Sequence, residues 1–225
     1  MKALLSTTFF GPVQWYQKLN RYDEVYIECN DSYQKQTYRN RCLIATTNGV
    51  QALTVPVTVE KADARHSLYL APHALQSVRI SDHGNWRHQH WQALCSAYGD
   101  SPFFQYYEDD LRPFFSEQWE FLRDFNEAIR QKICELIDIQ PKVSFTREYI
   151  PVQSIQKIQN TQTTQISSIT FHDFREVIRP KHPLPDPDFS PRRYYQVYER
   201  KHGFLPNLSI LDLLFNMGPE SIFYL

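Results

Sequence analysis

The sequence predicts an α/β fold: a mixed sheet opened by a β-α-β unit, with a predominantly helical C-terminal half, in one compact domain. Three observations carry that reading. Two strand-like runs close to the start bracket a short helical segment with a Gly-Pro entry. Asn48-Gly49 then joins two further strand-like runs. From about residue 82 the apolar period changes from two to near 3.6. With 225 residues, 42% of them hydrophobic, the chain has material for one well-buried core.

Residues 3–10 form an apolar and hydroxyl run with strand character. Gly11-Pro12 ends it, and Pro12 suits the first turn of a helix reaching Leu19. Residues 24–29 alternate, with Val25, Ile27 and Cys29 on one face and Glu24, Tyr26 and Glu28 on the other. If the two strands are parallel, the segments after Phe10 and Cys29 share one sheet edge, where open sheets bind ligands. Residues 43–46 and 52–59 flank Asn48-Gly49 as a hairpin. Trp91, Leu94, Cys95 and Tyr98 line a helix ending at Gly99. An aromatic-rich short helix is expected within 101–115. A longer one, capped by Ser116, presents Leu122, Phe125, Ile129, Ile133 and Leu136 and stops before Pro141. Glutamines at 153, 156, 159, 162 and 165 recur every third residue, a period foreign to strand and α-helix, so 151–170 reads as a mobile loop or weak edge hairpin. The Pro-rich stretch 180–192 is an extended crossing segment, and 208–215 a compact apolar helix with a docked tail.

Composition removes several function classes. Twenty-four Lys plus Arg against 25 Asp plus Glu leave no basic field for nucleic acid. Six glycines, none closer than fifteen residues to the next, cannot build a dinucleotide fingerprint or a phosphate loop. Four scattered cysteines form neither zinc nor redox pairs and read as free, mostly buried thiols. No run approaches the roughly 18 apolar residues of a spanning helix. The opening ten residues lack the features of a secretion signal, so a cytoplasmic protein without an integral membrane segment is expected.

Two polar clusters remain. In 31–41, Lys35, Arg39 and Arg41 are suited to a carboxylate or phosphate, although a solvated loop explains the same charges. In 81–91, three histidines invite a metal, but on a helix His88 and His90 point about 200° apart, and no metal site is expected. Helical phase puts His90 with Arg87, Trp91 and Leu94 on the apolar side, as either a core histidine or a general base. No serine sits in a nucleophile elbow and no cysteine adjoins a histidine.

Phe9-Phe10-Gly11-Pro12, then Tyr33, Lys35, Tyr38, Asn40 and Arg41, then Leu53-Thr54-Val55-Pro56-Val57, resemble the WbqC-like family. Trp86, His90, Tyr98, Pro102-Phe103-Phe104 and the tail from Ser209 to Pro219 extend the resemblance along nearly the whole chain. It implies a bacterial transferase attaching an aminoacyl (glycyl) or acyl group to an amino sugar of surface polysaccharide or O-antigen. The partners would be a nucleotide-linked sugar or an activated acyl donor, with no cofactor. By position Lys35, Asn40, Arg41, Trp86 and His90 match the family's recurrent polar and aromatic positions; helical phase and clustering then make His90 the expected catalytic base and Lys35, Tyr38, Asn40, Arg41, Trp86 and Phe103 the expected substrate-binding residues. Two departures stand out: Ser6-Thr7-Thr8-Phe9 replaces a His-Gln-Pro-like opening, and the acids around Glu28-Cys29-Asn30-Asp31 are shifted. Those departures admit an alternative, a non-catalytic module binding a sugar nucleotide or a protein of a cell-envelope system. Nucleotidyl transfer is disfavoured, because a paired-histidine signature after the first strand is absent.

Overall fold

The computed structural model describes residues 1–58, 75–151, 155–158, 161–166 and 169–225. Strand β1 (Lys2–Ser6), helix α1 (Val13–Arg21) and strand β2 (Glu24–Glu28) form the expected opening unit, with β1 and β2 parallel from Lys2↔Glu24 to Ser6↔Glu28. β1 is shorter than its apolar run. Phe9 and Phe10 leave the sheet to enter the core, and Phe10 adopts a left-handed φ of 42° at the turn into α1.

Strands β3 (Arg41–Thr46) and β4 (Gly49–Thr54) make the hairpin as a separate two-stranded sheet. Gly49, at φ 97°, supplies the conformation that an L side chain resists at this turn. β5 (Val57–Thr58) pairs with β6 (Arg79–Ile80); Val59, the last residue of the expected strand, lies outside the described residues.

Helices α2 (Trp86–Tyr98), α3 (Phe104–Leu111), α4 (Pro113–Ser116) and α5 (Leu122–Leu136) follow. The stripe of α5 is as expected, with Leu122, Phe125, Ile129 and Ile133 fully buried. Its start is not: Ser116 ends α4, and α5 begins after Phe121 without a side-chain cap, held instead by the Leu122 amide donating to the Val78 carbonyl.

The chain then returns to the sheet. β7 (Val143–Phe145) joins β2 in parallel, and β10 (Ile169–Asp173) joins β1 in parallel from the other side. Between them, β8 (Ile155–Ile158) and β9 (Thr161–Ile166) extend the sheet antiparallel to order β7-β2-β1-β10-β9-β8. The Gln-rich segment is therefore largely strand, an edge hairpin plus the strand that carries it into the sheet. Gln153 and Gln159 lie outside the described residues. Backbone pairing decides the conformation there, which side-chain period cannot reveal.

After α6 (Glu199–His202), helix α7 (Ile210–Met217) passes into a 3-10 tail, Gly218–Tyr224, that is docked as expected: Leu225 is buried and Arg21 donates to its carbonyl at 3.2 Å. The main core lies on the face bearing Ala3, Leu5, Val25 and Ile27, under the helices. Leu4 and Phe171, with Tyr26 packed against them, form a small second core on the other face, closed by Ile150.

Candidate functional site

The four parallel strands end at one edge. β2 and β7 lie to one side of β1 and β10 to the other, so the chain changes direction between β1 and β10. Open α/β sheets leave a crevice outside the strand carboxyl ends at such a point. A cavity of about 290 Å³ lies at this edge, lined by Asn30, Asp31, Ser32 and Gln34 after β2, Tyr149 after β7, and Arg175 and Glu176 after β10, with Arg39. Ser6 at the end of β1, with Thr7 and Thr8 after it, lines a second, water-sized space that shares Arg39 and Arg175.

Five charged side chains, each no more than 6% exposed, form a network at this edge: Asp31, Arg39 and Arg175 line the cavity, and Glu28 and Asp173 stand behind Arg175. Arg175 chelates Asp173 (Nε–Oδ1 3.0 Å, Nη2–Oδ2 2.7 Å), donates from Nη1 to the Ile150 carbonyl at 2.7 Å, and reaches Glu28 at 3.4 Å. Glu28 also accepts from the Asn30 amide (2.8 Å), the Ile150 amide (2.9 Å) and the Thr146 hydroxyl (2.7 Å). Arg39 bonds through Nη2 to Asp31 Oδ2 and, at 2.9 Å, to Ser6 Oγ. Asp31 Oδ1 and Arg39 Nε are buried without a partner, as is Thr8 Oγ1. Unpaired groups of this kind are costly in a folded interior. Burial pushes the Asp31 carboxyl above the usual range, and the neighbouring Arg39 guanidinium opposes that shift without cancelling it.

The surrounding fold holds these groups rigidly. Asn126, a buried amide on the apolar stripe of α5, donates to the Arg39 carbonyl at 2.7 Å. The Leu75 amide donates to the Asp31 carbonyl at 2.9 Å, and the Phe9 amide to the Tyr38 carbonyl at 2.8 Å. Ser209 Oγ donates to the Phe10 carbonyl at 2.8 Å, so the start of α7 fastens the loop after β1.

The residues expected at the site divide sharply. Tyr38 lines the smaller space, buried, with its phenol pushed up to about 12 by that burial. Lys35 is exposed on the neighbouring loop. Asn40 is a strut, donating to the Val55 carbonyl at 2.8 Å, and Arg41 spans the hairpin to Thr54 Oγ1 at 3.1 Å. Trp86 is buried against His90 and Phe125, its indole donating to the Ser81 carbonyl at 3.0 Å. Phe103 packs beside Gly218, where a Cβ would fall 2.5 Å from its ring. None of these four lines either space.

His90 is 7% exposed between Trp86 and Phe9, at ring distances of 5.2 and 6.1 Å, and lines neither space. Burial lowers it to about 4, partly offset by a hydrogen bond to the Thr54 backbone, and Nδ1 has no partner. That burial is what the helical phase of α2 predicts. The groups that pattern reading missed are Glu28, Asp173 and Arg175. Their one signal was the position of Glu28 at the end of the second strand; Asp173 ends, and Arg175 follows, a strand that the sequence did not show.

A model of the WbqC-like protein family matches residues 7–224. The chain belongs to that family. Among its relatives, this WbqC-like protein is 28% identical over 213 residues to the uncharacterized protein Rv1507c of Mycobacterium tuberculosis, covering 90% of this chain and 87% of the relative. No solved structure matches the WbqC-like chain. Among the described residues, no helix is long and apolar enough to cross a membrane, and no group of three or more His, Cys, Asp or Glu side chains is placed to hold a metal. All four cysteines are free; Cys29, Cys42 and Cys134 are buried and Cys95 partly so.

Proposed function

We propose that this WbqC-like protein transfers an aminoacyl (glycyl) or acyl group to the amine of a sugar during surface-polysaccharide assembly, and that the crevice at the carboxyl edge of the sheet is where it does so. The observation that carries the placement is the pair of unpartnered buried atoms, Asp31 Oδ1 and Arg39 Nε, beside a space of about 290 Å³. Direction comes from family membership, since fold alone does not assign chemistry. The exposed Tyr149 ring offers a flat wall for a sugar, and Ser32 and Gln34 offer hydroxyl and amide groups for its hydroxyls.

In the reaction, the sugar nitrogen attacks the acyl carbon, the C–N bond forms, and the bond to the donor's leaving group breaks. The proton lost by nitrogen goes to Asp31, whose raised affinity for protons suits that role better than the lowered one of His90. Arg39 stabilises negative charge as it develops. The test is to incubate the protein with nucleotide-linked amino sugars, glycine with ATP, and other activated acyl donors, and to read product masses. A sugar gaining one glycyl or acyl unit, with the gain lost in Asp31→Asn and retained in His90→Gln, supports the reading. Saturable sugar-nucleotide binding without any gain favours the non-catalytic module, which the full engagement of Glu28 and Asp173 also suits.

A further inference from the structure

Two buried arginine–aspartate pairs stand at the sheet edge, and they are built differently. Arg175 grips Asp173 with its fork, Nε on Oδ1 at 3.0 Å and Nη2 on Oδ2 at 2.7 Å. Arg39 and Asp31 share a single link, from Nη2 to Oδ2. The two atoms that would close a second arm, Arg39 Nε and Asp31 Oδ1, are buried without partners. A guanidinium and a carboxylate in contact gain most from both arms, so the half-open state of this pair has a cause. Arg39 Nη2 is shared: it also donates to Ser6 Oγ at 2.9 Å. Ser6 is itself fixed, as the last residue of β1 in register with Glu28, and its carbonyl accepts from the Trp15 indole at 2.9 Å. The backbones of Arg39 and Asp31 are anchored separately, through Asn126 and the Leu75 amide, so only the guanidinium has to turn for the pair to close.

We infer that Ser6 is a positioning residue: its hydroxyl draws the Arg39 guanidinium aside, keeps the pair with Asp31 single-armed, and so leaves Asp31 Oδ1 free to accept a proton. A closed fork would occupy that oxygen and favour the ionised carboxylate, making Asp31 a weaker base. The inference deepens the proposed transfer and rests on it for its purpose, but the state of the pair is readable without turnover. The other charged groups around Asp31 are engaged elsewhere. Glu28 and Asp173 are held by Arg175, and Glu176 at the rim by Arg179. The Tyr149 ring faces Arg175 at 5.7 Å, and Lys35, on the same loop as Asp31, is exposed. Burial pushes the Cys29 thiol up to about 12, so it stays neutral where Asp31 titrates. A change at Ser6 therefore reaches Asp31 through Arg39.

Ser6→Ala tests it, because without the hydroxyl the guanidinium turns onto Asp31 and both arms form. A carbon NMR titration of the Asp31 side-chain carboxyl should then show a proton affinity at least about tenfold below the wild type, the size of one added charge-assisted hydrogen bond. Ser6→Thr, which keeps the hydroxyl, should restore the wild-type titration. Where transfer is measured, kcat should fall in Ser6→Ala, and the acid limb of the pH–rate profile should move to lower pH by the same factor. Loss of a merely structural contact would move neither the titration nor that limb. If circular dichroism shows Ser6→Ala unfolded, Ser6→Cys takes its place, since a thiol is a weak acceptor of similar shape. An unchanged Asp31 titration in the variant that lacks the hydroxyl, or an equal fall in Ser6→Thr, overturns the inference whatever the transfer assay shows. A lowered titration with no transfer from any donor leaves the role of Ser6 standing and sinks the transferase reading; transfer with an unchanged titration does the reverse.

Discussion

His90 shows how one side chain's environment sets a measurable property of the fold. Its ordinary value near 6.5 falls to about 4 in the native protein, because the charged ring is excluded from the space between Trp86 and Phe9. Between those two values the unfolded chain binds a proton that the folded chain does not. The stabilisation from a neutral His90 is therefore complete above about pH 6.5 and is lost as pH falls towards 4. The shift corresponds to about 3 kcal/mol. Urea midpoints measured from pH 7 to pH 4 should show this loss, and His90→Leu should flatten the profile in that window. Unchanged acid sensitivity in the variant would assign the loss to other groups. The Asp31 shift has the opposite character: it raises a carboxyl, so protonating Asp31 relieves the floor rather than breaking it. Asp31→Asn, however, leaves the buried Arg39 guanidinium without its counter-charge and should lower the melting temperature as well as remove transfer, which its melting curve and product masses would show together.

The loop joining β1 to α1 is the element on which the site depends most. It turns sharply enough to need Phe10 at positive φ, and it buries Phe9 and Phe10 on Phe125 and Phe115 with ring centroids 5.7 and 5.8 Å apart. At Gly11 an added Cβ would lie 2.4 Å from Thr8 Oγ1, so the hydroxyl at the crevice and the glycine three residues on occupy one packing problem. Gly11→Ala should destabilise by about 1–3 kcal/mol through overpacking and shift Thr8 at the smaller space; thermal unfolding measures the first effect. Ser209 caps α7 through the Leu211 amide at 3.3 Å and also holds the Phe10 carbonyl. Ser209→Ala should then cost about 1–2 kcal/mol. Hydrogen exchange should quicken both at the start of α7 and in residues 8–12. Confinement of the change to α7 would show that the tail does not brace the loop.

Across the whole molecule, the Pro-rich segment is anchored by an unusual buried pair. Lys18 of α1, 1% exposed, meets Asp186 at 2.7 Å, with its ammonium 4.6 Å from the Phe174 ring, and Gln14 donates to the same carboxylate at 2.8 Å. Residues 176–186 thereby join α1 to the crevice rim, where Arg179 donates to Gln34 at 3.2 Å. Lys18→Met, which strands a buried carboxylate, should cost about 3–5 kcal/mol, whereas Lys18→Met with Asp186→Leu should cost far less. Denaturant unfolding of both variants decides it; equal losses would mean that packing, not charge, is what the pair supplies.

Local pattern carried the reading of this chain wherever neighbouring residues decide the structure. Pro12 and the alternation of Val25 and Ile27 set the opening unit, Asn48-Gly49 the hairpin, the spacing of Leu122, Phe125, Ile129 and Ile133 the long helix, and the sparse glycines ruled out phosphate-binding loops. The edge at which a ligand would sit followed from that opening unit too. Which residues stand there did not. Glu28 alternates outward on its strand yet is fully buried, because residues 146–150 fold back over that face and donate two hydrogen bonds to it. Arg175 reaches the same carboxylate from 147 positions away. A pairing of that separation depends on β10 finding β1 in parallel across the chain, and the Gln-rich segment before it gives no periodic sign of becoming sheet. Short-range periodicity reports which side of an element is apolar. The network of Glu28, Asp173 and Arg175 behind the crevice is assembled from side chains that only the closed sheet brings together.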